Sequence, residues 1–262
     1  MDKAAFLDLY DQHVRRGPAD VRTEREVEAH VIRHVPTDEH DCWIVWSQLT
    51  GDNADEVIRH ERDLFLQRNR LVEWKVYGHD QPADLADRLR SAGFTEEEQE
   101  ALLAIDVDSA AVLESDDATE GEVRVSELSD IERVMNVYRG VWPDHADELE
   151  RRFEQHMTGQ STGVLVHTEL EGAVVGAAWM TFRDGAQMAE LWAGTVIEEA
   201  RQRGFYRRMT QKRLEIARER GMRYAAVDAG PQSRPILERM GFQFITSITP
   251  CLFDPARSTL KP

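Results

Sequence analysis

Three apolar runs separated by short polar turns occupy the middle of the C-terminal half, and they restrict that stretch to an antiparallel sheet. Val164 to Thr168 is followed by the turn Glu169-Leu170-Glu171-Gly172, and Ala173 to Phe182 by Arg183-Asp184-Gly185; Met188 to Val196 then ends in a polar loop. Runs rich in β-branched and aromatic residues, bounded by glycine turns of a few residues, read as consecutive hairpin strands. After them the period changes. Arg207 to Arg220 carries Met209, Leu214, Ile216 and Ala217 at helical spacing, with Gly221 as a stop. A short strand over Tyr224 to Asp228, a helix near Ser233 to Met240, the pair Gly241-Phe242 and a last strand through Phe244 to Leu252 complete the half.

Between the third strand and its helix lies Arg201-Gln202-Arg203-Gly204-Phe205-Tyr206-Arg207-Arg208. The first turn of a helix leaves backbone N–H groups unpaired, and its dipole favours negative charge, so a pyrophosphate can bind there. Gly204 admits a ligand close to the backbone. The chain has a formal net charge of -17, which repels a polyanion at long range, and the four arginines reverse that field locally. On the residues alone, a solvated basic helix start is the alternative.

The ordered combination of strand, glycine loop, helix, strand, helix and strand resembles the GNAT superfamily of acyl-CoA-dependent N-acyltransferases, over roughly residues 123 to 254. Arg201-x-x-Gly204-x-Tyr206 is similar to the family's R/Q-x-x-G-x-G/A pattern, with Tyr206 replacing a small residue. Leu237-Glu238-Arg239-Met240-Gly241-Phe242 is similar to its L-Y-x-x-x-G-F ending, with Leu237 where the tyrosine usually stands. The resemblance implies an α/β (α+β) fold: a mixed, mainly antiparallel twisted sheet flanked by helices. It implies acetyl-CoA as acyl donor, no metal, and a loop of Arg201, Gln202, Arg203, Gly204, Phe205, Tyr206 and Arg207 on its phosphates. It also implies a bulged strand at Gly194, Thr195 and Val196 along the pantetheine arm.

At 262 residues there is room for two domains. Trp74 to Phe94 runs strand, turn, helix, Gly-Phe, like Tyr224 to Phe242, and Leu9-Tyr10-Asp11-Gln12-His13 echoes Val137-Tyr138-Arg139-Gly140-Val141. Residues 1–115 are therefore read as a degenerate, shortened GNAT-like domain without a CoA loop, 116–122 as an acidic linker, and 123–262 as the acetyl-CoA-binding domain. The helix expected over Asp55 to Arg68 has no glycine loop before it, and Asp52, Asp55 and Glu56 stand where phosphate would bind. An unrelated α+β cap is the alternative for this half. Without a long apolar run or leader pattern, a cytoplasmic protein with no membrane contact is expected. Cys42 and Cys251 form no paired motif, and an acidic chain argues against nucleic acid. Monomer and homodimer both remain open.

Acyl transfer from a thioester to an amine requires a base, stabilisation of an oxyanion and release of a thiolate. Deprotonating an alkylamine of pKa ~10.4 at pH 7 costs about 4 to 5 kcal/mol, which a positioned carboxylate can relay. The resemblance makes Glu190 the expected base: it lies in the third strand fourteen residues before Gly204, the spacing at which catalytic histone-type members of the family place a glutamate, and by alternation it shares a face with Met188, Trp192 and Gly194. Asp228 is the reserve, and Ser233 and Tyr206 carry the hydroxyls available to a departing sulfur, a purely structural role being the alternative for each. A Glu190 that merely faces solvent or pairs with an arginine is the alternative.

His30 and His34 with Asp38, Glu39, His40, Asp41 and Cys42 match no compact zinc spacing and read as a solvated helix end with a polar loop. Trp43, Trp46, Trp142, Trp179 and Trp192 are expected in cores rather than around a cationic ligand. Asp144 and Asp147 hint at a cationic small-molecule amine as acceptor. The sequence thus points to an N-acetyltransferase; the alternative is a non-catalytic acyl-CoA-binding sensor or interaction module, motivated by Leu237.

Overall fold

The computed structural model describes residues 1–20, 22–37, 41–109, 121–158 and 163–257. Helix α1 (Lys3–Tyr10) runs into a π-helical turn at Asp11–Arg15, followed by β1 (Thr23–Val27), β2 (Val31–Pro36), β3 (Cys42–Ser47), α2 (Ala54–Arg68), β4 (Val72–Tyr77), α3 (Leu85–Ser91) and β5 (Thr95–Glu96). Then come β6 (Glu100–Asp106), β7 (Val123–Val125), α4 (Ile131–Val141), α5 (Ala146–Met157), β8 (Gly163–Leu170), β9 (Ala173–Arg183) and β10 (Met188–Val196). Helix α6 (Phe205–Glu219), β11 (Tyr224–Ala229), α7 (Arg234–Arg239) and β12 (Gln243–Phe253) complete the order. The chain divides into two compact units. One takes Asp2–Leu102, Ala229–Pro231 and Ile245–Pro262; the other takes Leu103–Asp228 and Gln232–Phe244, with Met1.

In the first unit the strand order is β1-β2-β3-β4-β12, with β5 also on β12. Strands β3 and β4 are parallel, from Cys42↔Val72 to Ile44↔Trp74, and α2 is the crossover that a parallel pair needs. Cys42, Ile44, Ile58, Phe65, Trp74, Leu89 and Phe94 form its core with Cys251 and Phe253 from β12. Residues 245–253 of the last strand, read from sequence as part of the 123–262 domain, cluster with this unit. The strand lies antiparallel on β4, Ile248↔Tyr77 to Phe253↔Val72, where Phe253 packs its ring 5.4 Å from that of Phe94. Residues 116–120 of the expected linker lie outside the described residues.

The His30 and His34 segment differs from its sequence reading. His34 lies in β2, between Arg25 of β1 and Trp43 of β3, because Val31, Ile32 and Val35 favour a strand whose apolar side chains pack into the core. Asp38, Glu39 and His40 lie outside the described residues. Among the described residues no group of three or more His, Cys, Asp and Glu is placed to hold a metal ion, and no helix is long and apolar enough to cross a membrane. Helix α2 opens on Asp55 and Glu56, with Asp55 2.9 Å from Arg88.

The second unit has the order β6-β11-β10-β9-β8-β7. Its β7, β8, β9 and β10 pair antiparallel in turn, and β11 joins β10 in parallel, giving a mixed, mostly antiparallel sheet flanked by helices. Helices α4 and α5 bury Val134, Met135, Tyr138 and Phe153 against Leu165, Ala177 and Trp179 of the sheet. The apolar stripe of α6 buries Phe205, Met209, Leu214, Ile216 and Ala217, beginning two residues before the expected Arg207 because Gly204 already caps it.

Assignment of β12 to the first unit has a measurable consequence. Phe253→Ala should cost about 3 to 5 kcal/mol and raise amide hydrogen exchange in β3 and β4, although the substitution lies nearly at the end of the chain. Urea unfolding with site-resolved exchange checks this; exchange rising only in β8 to β11 would contradict it.

Candidate active site

The ladder between β10 and β11 is short. It runs from Met188↔Tyr224 to Glu190↔Ala226, and both strands continue past its end, to Val196 and Ala229. Strand β10 then bulges: its register on β9 shifts between Trp192↔Trp179 and Thr195↔Ala177. Ala193 takes a φ of 48°, a left-handed conformation costly for a residue with a Cβ. Bulges re-aim backbone groups next to ligand sites.

Two side chains hold the bulge. The Tyr138 hydroxyl of α4 donates to the Ala193 carbonyl at 2.8 Å. From α6, Arg213 donates through Nη1 to the carbonyls of Trp179 (3.1 Å) and Trp192 (3.4 Å), and through Nη2 to Thr210 Oγ1 (3.2 Å). Arg213 is only 2% exposed, and burial pushes its guanidinium below the usual arginine range, with the Tyr206 and Tyr138 oxygens opposing that shift. Burial likewise raises the Tyr138 phenol.

Tyr206 closes the same region. Its ring lies against Gly194, where a methyl group would stand 3.0 Å from Tyr206 Cε2 and 3.4 Å from Arg213 Nη2. Burial raises its pKa, and the nearby Arg213 and Ser233 oppose that shift. Gly194, Tyr206 and Ser233 are each partly accessible.

Glu190 is 3% exposed and is ion-paired with Arg183 Nε of β9. It faces Thr181 across the ladder, and Thr181 Oγ1 accepts from Trp192 Nε1 at 3.1 Å, so Glu190, Arg183, Thr181 and Trp192 share one face. Asp228 lies two residues beyond Ala226, the parallel partner of Glu190, and by alternation falls on that face. The bulge breaks the alternation before Gly194, so Gly194 does not follow Glu190 and Trp192 as expected.

The loop before α6 is built from unusual backbone. Gln202 has φ 62° and Gly204 φ 82°, and Arg201, Gln202, Arg203 and Gly204 are exposed. Phe205 is 1% exposed, so only its backbone faces the loop. Arg201 turns back, its Nε donating to the Val196 carbonyl at 3.2 Å; Arg203 leans over the Phe205 ring at 5.7 Å. Arg207 is half-buried on the first turn.

Residues 128–242 match the model of the acetyltransferase (GNAT) family. This chain carries a GNAT domain. The fold likeness extends further: a GCN5-related N-acetyltransferase from Kribbella flavida is 15% identical, with 95% of each chain covered and a TM-score of 0.63. A tandem GNAT protein from the clavulanic acid biosynthesis pathway, solved without acetyl-CoA, is 13% identical, with 98% of this chain and 95% of that one covered and a TM-score of 0.61. A functionally unknown protein from Staphylococcus epidermidis is 11% identical over 89% and 95% of the two chains, at TM-score 0.67. At such identities these are likenesses of fold. Comparison with curated proteins returns no match.

Arg183, Tyr138 and Arg213 touch Glu190 and the β10 bulge and have no part in the expectations from sequence. Arg213 leaves one legible sign: it falls seven residues after Tyr206, on the helix face of Met209, Thr210 and Ala217, where a charge interrupts an apolar stripe. Leu237, at the family's tyrosine position, is fully buried. Asp144 and Asp147 are exposed at the start of α5.

Tyr138→Phe removes the donor to a carbonyl whose residue is already strained. The expected loss is about 1 to 3 kcal/mol in denaturant unfolding, with chemical-shift changes centred on Ala193 and Gly194; a variant as stable as the parent would show that the bulge holds without this bond.

Proposed function

We propose that the GNAT domain is an acetyl-CoA-dependent N-acetyltransferase that moves an acetyl group to a primary amine of a small molecule by direct attack. The observation that carries this reading is the opened β10–β11 ladder beside an exposed loop with positive φ at Gln202 and Gly204, at the start of α6. Backbone amides from Gln202 to Tyr206 suit a pyrophosphate, with Arg203 and Arg207 supplying charge. Arg201 serves the loop's shape, through Val196. The edge at Gly194, Thr195 and Val196, freed from β11, offers main-chain groups to a pantetheine arm and donors to a developing oxyanion.

Glu190 takes the role of base. The Arg183 guanidinium pairs with its carboxylate and aims it, and a water carries the ammonium proton to it. Asp228, on the same face across the open ladder, holds that water. Ser233 acts on the sulfur side through Tyr206. The exposed Asp144 and Asp147 favour a cationic acceptor. We read the first unit as a degenerate GNAT-like copy without a CoA site, since α2 begins with Asp55 and Glu56, which repel phosphate.

The rival reading, a non-catalytic acyl-CoA-binding module, is favoured by the buried Leu237, which brings no hydroxyl to the usual tyrosine position.

Calorimetric titration with acetyl-CoA should show binding at about micromolar strength, abolished by Gly204→Glu, which puts bulk and negative charge at a φ of 82°. Among primary amines screened as acceptors, Glu190→Gln should lower kcat by about a hundredfold or more with acetyl-CoA affinity retained. Affinity retained in Gly204→Glu would sink the loop assignment, and turnover unchanged in Glu190→Gln would sink the base.

A further inference from the structure

We infer that the acceptor site takes an aromatic primary amine, with its ammonium over the Trp192 indole and its ring against Trp142. The inference rests on the acyl-transfer reading above and names the substrate class of that site. Of the three tryptophans in the GNAT domain, Trp179 is buried in the core at 6% exposure. Trp142 and Trp192 are only half-buried and pack on the edge of that core beside Ala193 of the bulge. Both indoles are held in place. Trp192 Nε1 donates to Thr181 Oγ1 at 3.1 Å, and Thr181 faces Glu190 across the ladder, so the ring reaches back along the sheet face toward Glu190, between the proposed base and the bulge. Trp142 caps the end of α4 and stacks on Tyr138, with ring centroids 5.8 Å apart and planes 26° from parallel. Tyr138 in turn reaches the Ala193 carbonyl, and Pro143 takes the chain out of the helix directly after Trp142.

Those positions set the order of groups along the cleft. An amine that attacks a thioester at the bulge arrives as an ammonium, and the carboxylate that takes its proton stands about 7 Å back along the strand. The indole between them holds the cation against its π face until the proton leaves. Trp142 follows Tyr138 by one helical turn, about 5.4 Å. A short alkyl tether on the nitrogen covers that step and delivers an aryl ring to Trp142, where an offset-stacked or edge-to-face pair forms. Asp144 and Asp147, exposed just past Trp142, add a negative field that draws a cation in. An amine rich in hydroxyls fits this wall poorly. On this face Thr181 is engaged by Trp192 and Glu190 by Arg183, and a sugar hydroxyl laid against an indole loses its water without gaining a partner.

The experiment is calorimetric titration of the full chain, loaded with CoA, with phenethylamine, butylamine and glucosamine, repeated on Trp142→Leu and Trp142→Phe. The unsubstituted protein should bind phenethylamine about tenfold more tightly than butylamine, and glucosamine more weakly than either. Trp142→Leu should bring the ratio of phenethylamine to butylamine affinity close to one, and Trp142→Phe, which keeps an aromatic face, should restore most of it. Acetyl-CoA affinity equal to that of the unsubstituted protein shows that each variant is folded. A ratio near one in the unsubstituted protein, glucosamine as the tightest of the three, or an undiminished ratio in Trp142→Leu overturns the inference. The transferase reading is decided separately, by replacing CoA with acetyl-CoA: if bound phenethylamine is never acetylated, that reading falls and the aromatic-amine site stands. If CoA itself does not bind, the acyl-CoA reading falls, and the same ratio measured on the unloaded protein decides the inference.

Discussion

A buried guanidinium organises the GNAT domain. Arg213 reaches from α6 to the main-chain carbonyls of β9 and β10 at the point where β10 bulges. A bulge leaves ladder carbonyls without their regular partners, and a buried carbonyl needs one. A positively charged donor with five N–H groups meets that need better than any neutral side chain. Its desolvation is costly, so the arginine holds its place only while those carbonyls, Thr210 and Tyr206 surround it. Helix, bulge and aromatic loop residue are thereby locked to one another.

From that lock follows the division of labour in the cleft. Tyr138 holds the Ala193 carbonyl while Arg213 takes that of Trp192, so the oxygens of the bulge are tied up by α4 and α6. Glu190, Arg183 and Asp228 share one face of the sheet, while Tyr206 lies on Gly194 at the loop side. Glu190 is nearly inaccessible, and its ion pair with Arg183 makes an ionised carboxylate tolerable there. The arginine-paired glutamate left open at the sequence level is what the structure shows.

The first unit shows which part of a weak repeat is local. The likeness of Trp74 to Phe94 with Tyr224 to Phe242 is reflected in β4 and α3 beside β11 and α7, since strand periodicity and a Gly-Phe stop are local signals. Where β12 pairs is not local. Its apolar residues suit any open strand edge, and pairing with β4 and β5 and packing on Phe94 place Phe253 in the core of the first unit. His34 fails for a related reason: two histidines four apart suggest a helix face, but the β-branched residues between them prefer a strand once β1 and β3 offer partners.

By itself the sequence determined the three hairpin strands, the glycine loop, the amphipathic α6 and the family to which residues 128–242 belong. These rest on period, turn chemistry and glycine at positive φ, all encoded within a few residues. Tertiary structure alone decided what each candidate side chain touches: Arg183 on Glu190, Tyr138 on Ala193, and Arg213 on the carbonyls of Trp179 and Trp192. Those contacts join residues up to 55 positions apart. No local pattern records them, because they arise from how helices α4 and α6 pack on a sheet whose bulge exists only once it is assembled.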